Sequence, residues 1–324
     1  MSELERALEA ALEHHHAGRL TQAEVLYRQI LEHDPDHGPA RHSLGLLALQ
    51  LGLTEQALAE ITAALEQMPA DPAVHNSLGL ALELADRGEE ALAALDRAVA
   101  LAPHWPVVHC NRGDLLMARS RFDEARQAYT RALELDPAYG QAHFNLGNLL
   151  AGLGELEPAA ACHTRAAELL PKDWQVHNNL GDVLRHLGRL PEARDALQQA
   201  LLLDPGNPFV ANNLANVQMD LGEPQAAEKG YRLALAALAD DPGLHQNLGL
   251  CLLAQDRAAE AVVCLAEALT LKEDDPVGHL FLGDALWAAG EHDPARATWE
   301  EALNLDPGLE AARRRLARPR EEGE

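Results

Sequence analysis

The sequence predicts an all-α fold in which a unit of two helices recurs every 34 residues. Composition is the first observation: 47% of residues are hydrophobic but only 4% are aromatic, and the apolar residues are mostly leucine and alanine. Strands favour aromatic and β-branched residues, whereas leucine and alanine suit packed helices. The second observation is the period of the small residues, and the third is a proline near the end of most units.

Small residues repeat in three series at the 34-residue step. The first series is alanine without exception: Ala23, Ala57, Ala91, Ala125, Ala159, Ala193, Ala227, Ala261 and Ala295. The second series consists of Gly45, Gly79, Gly113, Gly147, Gly181, Gly249 and Gly283, and alanine takes the place of glycine at Ala11 and Ala215. The third is alanine, broken only by Ile30: Ala64, Ala98, Ala132, Ala166, Ala200, Ala234, Ala268 and Ala302.

Within each unit, leucines at i, i+3, i+4 and i+7 predict one helix up to a turn glycine such as Gly188, and a second helix from there to the closing proline. Two helices of about 14 residues, each about 20 Å long, fill the period. A single hairpin cannot bury its apolar face, so the hairpins must stack. We expect nine units over 4–309, starting at 4, 38, 72, 106, 140, 174, 208, 242 and 276, and a capping helix and tail over 310–324.

Small residues at positions 8, 20 and 27 of a 34-residue helical hairpin, with proline at position 32, resemble the tetratricopeptide repeat. The resemblance covers nearly the whole chain. It implies a right-handed α-solenoid superhelix in which the first helix of each unit lines a concave groove, and it implies a role in protein–protein interaction.

Asparagine, a poor helix former, recurs at position 6 of the first helix in units 4–8. In unit 5, positions 4, 7, 8 and 11 form the predicted buried stripe (His143, Leu146, Gly147 and Leu150), and position 6 points about 200° away from positions 4 and 8. Position 9 lies on the same face as position 6. The predicted polar ladder consists of Asn111, Asp114, Asn145, Asn148, Asn178, Asn179, Asp182, Asn212, Asn213, Asn216 and Asn247.

Histidine at position 4 followed by Asn-Leu-Gly is similar to the repeats of O-linked N-acetylglucosamine transferases. That resemblance implies a ladder that holds an extended polypeptide through its backbone, because an amide offers both a donor and an acceptor. The alternative is that each asparagine bonds a neighbouring repeat and only sets the pitch of the superhelix.

Unit 9 replaces the polar ladder with apolar residues. Leu280, Phe281 and Trp287 are predicted either to form an apolar anchor for a partner or to pack under the helix at 310–318. The recurring histidines at position 4 are spaced too widely to share a metal, and His14, His15 and His16 point in different directions around one helix. We therefore predict packing roles for the histidine series, and no metal site.

Charge and motifs exclude several functions. With 51 acidic and 26 basic residues the formal charge is −25, so nucleic acid is an unfavourable partner. The N-terminus carries charges where a signal peptide needs an apolar core, and no window approaches 18 uncharged apolar residues. Both features predict a soluble, cytoplasmic protein without membrane insertion. No phosphate loop, GxSxG or HExxH motif occurs. We expect no enzyme activity and no cofactor.

These observations predict an adaptor that binds an extended, basic or neutral peptide segment of another protein in an acidic groove. The chain has only three lysines (Lys172, Lys229, Lys272), so a clamp for a C-terminal carboxylate is disfavoured. Two alternatives stay open: a targeting or substrate-recognition subunit for a separately encoded enzyme such as a glycosyltransferase, and a scaffold that self-associates through the repeat ends.

Overall fold

A computed structural model describes residues 2–317, and in that range every regular element is an α-helix. The predicted all-α helical-repeat class is therefore confirmed. The chain divides into two compact units, Met1–Gly154 and Glu155–Glu324, and the boundary between them falls inside the fifth predicted repeat.

The first unit contains nine helices. Their bounds are α1 Glu3–His16, α2 Leu20–His33, α3 Gly38–Gln50, α4 Thr54–Gln67, α5 Pro72–Leu84, α6 Gly88–Leu101, α7 Pro106–Ala118, α8 Phe122–Leu135 and α9 Gly140–Gly152. Helices α1 to α8 pack as four consecutive hairpins, and each odd-numbered helix also contacts the next odd-numbered helix.

The described part of the second unit contains ten helices. Their bounds are α10 Leu156–Leu169, α11 Trp174–His186, α12 Leu190–Leu203, α13 Pro208–Asp220, α14 Pro224–Ala237, α15 Pro242–Leu253, α16 Ala258–Leu271, α17 Pro276–Ala288, α18 His292–Leu305 and α19 Glu310–Leu316. Helices α11 to α18 form four hairpins, and α11, α13, α15 and α17 contact one another in that order.

Local sequence explains where the first helices begin. At α5, for example, the Oδ1 atom of Asp71 accepts a hydrogen bond of 2.8 Å from the backbone N–H of Ala73, and Pro72 occupies the first helical position. An aspartate cap satisfies an N–H that lacks a helical partner, and proline has no N–H to lose there. Asp173 and Asp275 cap α11 and α17 in the same way.

The two helices of a hairpin meet at position 8. A Cβ atom added to Gly181 would lie 2.5 Å from Cγ of Leu197, and one added to Gly113 would lie 2.5 Å from Cε1 of Tyr129. Leu197 and Tyr129 are themselves fully buried at position 24 of the second helix. Glycine is thus required by close approach of a packed side chain, which explains the second small-residue series.

Position 24 holds a histidine only in the fifth repeat. His163 on α10 is completely buried, and desolvation lowers its pKa to about 4. The same position is Leu95, Leu197 or Leu265 in other repeats, so the site accepts an uncharged side chain.

Helix α19 lies within the range 310–324 that was predicted to hold a capping helix and tail. It begins at Glu310, 34 residues after Pro276, and its Ala312 is buried against α18. It is therefore the first helix of a further repeat pattern. The remainder of the predicted tail, residues 318–324, lies outside the described residues.

We expect Gly181→Ala to lower the free energy of unfolding by about 1–3 kcal/mol, because the added methyl group overpacks a buried contact with Leu197. Chemical denaturation measures the change. The matched control is Gly152→Ala, also in a helix, where the added Cβ atom has no neighbour within 4 Å. That variant should be neutral or more stable, since alanine is the better helix former. Equal losses in both variants would contradict the packing explanation.

Stability should fall as pH drops from about 6.5 to 4, in part because of His163. The folded pKa of about 4 lies below the unfolded value of about 6.5, so the unfolded chain binds the extra proton in this window. We expect His163→Leu to remove about 2 kcal/mol of the loss between pH 7 and pH 5, measured as the difference between the wild-type and variant denaturation curves. Parallel pH profiles for the two proteins would contradict this assignment.

Candidate peptide-binding face

The first helices α7, α9, α11, α13 and α15 carry the predicted polar ladder. On α9, Leu146, Gly147 and Leu150 are buried as predicted, and Ala142 is also fully buried. His143 is only half-buried. On these first helices, the residues at positions 2, 6, 9 and 13 are exposed or half-buried. We call the surface that they form the ladder face.

The histidines at position 4 make a specific backbone bond. The Nε2 atom of His177 lies 3.2 Å from the carbonyl oxygen of Pro171, six residues earlier in the loop that precedes the helix. A carbonyl only accepts, so Nε2 carries the proton. The same bond links His75 to Pro69, His109 to Pro103, His143 to Pro137, His245 to Ala239 and His279 to Glu273, over 2.8–3.0 Å. The predicted packing role is thus accompanied by a hydrogen bond that the period did not reveal.

In the second unit the ladder asparagines form a chain of amide bonds. The Nδ2 atom of Asn247 donates to Oδ1 of Asn212 over 3.1 Å, and the Nδ2 atom of Asn213 donates to Oδ1 of Asn178 over 3.0 Å. Within each helix, Asn212 donates to Asn213 over 3.4 Å and Asn178 donates to Asn179 over 3.2 Å. We call this connected set of five side chains the amide relay.

The first unit has related bonds with different partners. The Nδ2 atom of Asn111 donates to Oδ1 of Asn76 over 2.8 Å, and Asn76 is buried. The Nδ2 atom of Asn145 donates to Oδ1 of Asp114 over 2.5 Å and lies 3.7 Å from Sγ of Cys110. Asn76 and Cys110, both at position 5, were missed by the sequence analysis.

Position 9 receives support from the second helix of its own hairpin. The hydroxyl of Tyr129 donates to Oδ1 of Asp114 over 2.7 Å, and the hydroxyl of Tyr231 donates to Oδ1 of Asn216 over 2.8 Å. Desolvation raises the pKa of the Asp114 carboxyl, and the hydrogen bonds from Tyr129 and Asn145 act in the opposite direction. These bonds fix the direction of the position 9 side chains.

A shallow cavity opens on the ladder face of each unit. In the first unit it measures about 440 Å³, and it brings together Asp114, Met117, Ala118, Tyr129, Gln141, Asn145 and Asn148. In the second it measures about 150 Å³, and it is lined by Pro208, Phe209, Asn212, Leu238, Asp241, Gly243, Leu244 and Asn247. Both cavities combine side chains of neighbouring first helices.

The predicted apolar anchor in repeat 9 is only partly available. Leu280 is 7% exposed and packs in a cluster with Trp299 and Ala312, so it is a core residue and not an anchor. Phe281 and Trp287 are half-buried. The Trp287 ring stacks on His292 and Trp299, with ring centroids 4.3 Å and 5.4 Å apart.

The other ladder residues differ in their surroundings. Asp182 lies 3.6 Å from Nδ1 of His186 on its own helix.

Among residues 2–317, no three His, Cys, Asp or Glu side chains are grouped closely enough to hold a metal ion. Over the same range, no helix has the length and apolar character needed to cross a membrane.

Helical hairpins stacked at a 34-residue step, with polar side chains aligned along their first helices, define a helical-repeat interaction protein. The family model described as the cilia and flagella-associated protein 70 C-terminal domain, a tetratricopeptide-repeat domain, matches residues 69–318, and a tetratricopeptide repeat model matches residues 14–81. The chain therefore belongs to this tetratricopeptide-repeat family, and that predicted resemblance is confirmed. No curated protein matches the chain in sequence.

Solved structures show the same fold. A crystal structure of the APC/C hetero-tetramer Cut9–Hcn1 aligns with a TM-score of 0.57 at 21% identity, covering 93% of this chain and 59% of that one. Pseudomonas aeruginosa pilF aligns with a TM-score of 0.56 at 20% identity, covering 64% of this chain and 95% of that one. YrrB, described as a TPR protein with an unusual peptide-binding site, aligns with a TM-score of 0.51 at 22% identity, covering 58% of this chain and 97% of that one. The finer likeness to transferase repeats stays a prediction.

We expect Asn213→Ala to lower the free energy of unfolding by about 1–2 kcal/mol, because it removes the donor to Asn178 and the acceptor of Asn212. The control is Asn304→Ala, where an exposed asparagine bonds only Glu301 on its own helix. Alanine gains at least as much helix propensity at Asn213, in the middle of α13, as at Asn304, next to the last residue of α18. Any extra loss in Asn213→Ala therefore reports the relay. Identical denaturation midpoints would show that the relay contributes nothing to stability.

Proposed function

We propose that the chain is a non-catalytic adaptor whose ladder face binds an extended segment of another protein. The observation that carries this proposal is the alignment of the position 6 amides on α11, α13 and α15, held by the bonds of the amide relay. Each amide has two N–H donors and two acceptor lone pairs. The relay bonds of Asn213 use one N–H and one lone pair, so its second N–H and second lone pair can pair with a peptide unit.

The relay also favours binding energetically. Side chains already fixed by hydrogen bonds lose less conformational entropy when a ligand binds, so preorganisation leaves more of the contact energy as affinity. The architectural role of the asparagines and their binding role are thus compatible, and the bonds between repeats position the amides for a ligand.

The charge of the chain defines the partner class. A net charge of −25 disfavours acidic ligands, so the proposed partner is a basic or neutral protein segment, and nucleic acid is disfavoured. The fold likeness to YrrB, whose description names a peptide-binding site, is consistent with this class. All four cysteines are unpaired thiols, which supports a reducing compartment, and we infer the cytoplasm.

The test is affinity capture with mass spectrometry, comparing the wild type with the variant Asn145→Ala/Asn179→Ala/Asn213→Ala. The matched control, Gln127→Ala/Gln198→Ala/Gln199→Ala, removes three exposed amides from the second helices α8 and α12. Circular dichroism verifies that all proteins are folded. Captured partners are then divided into synthetic peptides, and binding is measured by fluorescence anisotropy.

We expect the wild type and the control to recover the same partners. The ladder variant should recover at least about tenfold less of each partner and bind the derived peptides at least about tenfold more weakly. Undiminished recovery by the ladder variant would overturn the proposal. Recovery of a catalytic chain through another surface would favour the targeting-subunit alternative. Oligomers that form equally in the ladder variant would favour the self-associating scaffold.

A further inference from the structure

The ladder face of the first unit changes character along the row of position 9 side chains. In repeats 1–5 the residues are Leu12, Leu46, Leu80, Asp114 and Asn148. Leu12 is half-buried, Leu46 is 36% exposed and Leu80 is 38% exposed. One turn beyond Leu80, Leu84 is 60% exposed. The face is therefore apolar in the first three repeats and becomes acidic at Asp114.

The charge of Asp114 is not neutralised by its neighbours. Both hydrogen bonds to its Oδ1 atom come from neutral groups, the Tyr129 hydroxyl and the Asn145 amide. The arginines on this helix and directly after it pair elsewhere: Arg112 lies 2.6 Å from Asp96, and Arg119 lies 2.8 Å from Glu83. Among the described residues, no cation pairs with Asp114, and its side chain lines the 440 Å³ cavity.

The second unit shows what a position 9 carboxylate binds. Asp284 receives both ends of the Arg315 guanidinium, with Nε 2.7 Å from Oδ1 and Nη2 3.0 Å from Oδ2. Arg315 occupies position 6 of the following first helix, 31 residues further along the chain. Asn145 has the same relation to Asp114 but carries no charge. The cation that the chain supplies at Asp284 is thus missing at Asp114.

The spacing of the repeats sets the spacing of a ligand. Neighbouring packed helices lie about 8–10 Å apart, and a polyproline II segment rises about 3.1 Å per residue with three residues per turn. Every third ligand side chain therefore faces the ladder face at intervals of about 9 Å, one for each repeat.

We propose that the first unit recognises an extended peptide in which two apolar side chains and one arginine or lysine occupy every third residue, with the cation at one end of the pattern. The apolar side chains contact Leu46 and Leu80, and the cation pairs with Asp114. This inference rests on the proposed function and adds side-chain specificity to backbone binding. The occupant is a protein segment that combines apolar and basic residues, as the charge of Asp114 requires.

The probes are labelled peptides with Gly, Ser and Pro spacers: Leu-x-x-Leu-x-x-Arg and the reverse order, Arg-x-x-Leu-x-x-Leu, which together cover both chain directions. Control peptides carry Glu or Gln in place of Arg, or place the leucines two residues apart. Affinity for the whole chain is measured by fluorescence anisotropy at low salt.

We expect one of the two orders to bind at least about tenfold more tightly than its Glu version and its respaced version. Asp114→Asn keeps the acceptor for Tyr129 and Asn145 but removes the charge, so it should reduce the preference for Arg over Gln to about one. Asp123→Asn, an exposed position on α8, should leave that preference unchanged. Leu80→Ser should weaken binding of the patterned peptide, whereas Leu202→Ser, 72% exposed on α12, should not.

The outcomes separate this inference from the proposed function. If patterned and control peptides bind alike and Asn111→Ala weakens all of them, backbone binding is supported and the side-chain pattern is wrong. If the Arg preference survives Asp114→Asn, the cation site is wrong. If no peptide binds, the pattern is also wrong, and the capture experiment decides separately about the ladder face.

Discussion

The close approach of two helices within each hairpin is the constraint on which the rest of the structure depends. A position 8 glycine such as Gly113 or Gly181 leaves space for a buried side chain at position 24, and this contact recurs with the 34-residue step. Because each first helix is held in this way, a given position faces the same side of its hairpin in consecutive repeats of a unit. The alignment of asparagines along the ladder face follows from that packing, since a side chain at a fixed position has a fixed direction.

Polar side chains then connect one hairpin to the next. The amide relay joins position 6 of one repeat to position 5 of the preceding repeat. Each position 4 histidine of the series bonds a backbone carbonyl in the loop before its helix, and thereby ties that loop to the helix. Hydrophobic packing alone is tolerant of small sliding movements, whereas hydrogen bonds between particular atoms are not. The polar bonds therefore specify how adjacent repeats are placed within each unit.

The period and the all-α class could be predicted from the sequence, because self-comparison at a fixed step aligns equivalent positions. It could not reveal Asn76 or Cys110 as partners. Those contacts join different positions of adjacent repeats, 35 residues apart, and depend on how neighbouring helices face each other. The burial of Leu280 was one of two alternatives that the sequence left open, and its cluster with Trp299 and with Ala312 of α19 decides between them. The Asp306-Pro307 pair and the step from 276 to 310 were the available signals for that helix.

The bonds between repeats have a consequence for how such a chain can change in length. The bonds of each kind span a fixed number of residues: 35 for the relay bonds between adjacent repeats, and six for the bonds from a position 4 histidine to a carbonyl. Duplication or deletion of one complete 34-residue unit therefore restores an equivalent partner at each new junction wherever the neighbouring units carry the same residue types. The length of the ladder face is thus a quantity that gene duplication can alter in whole steps, while the contacts between repeats stay the same.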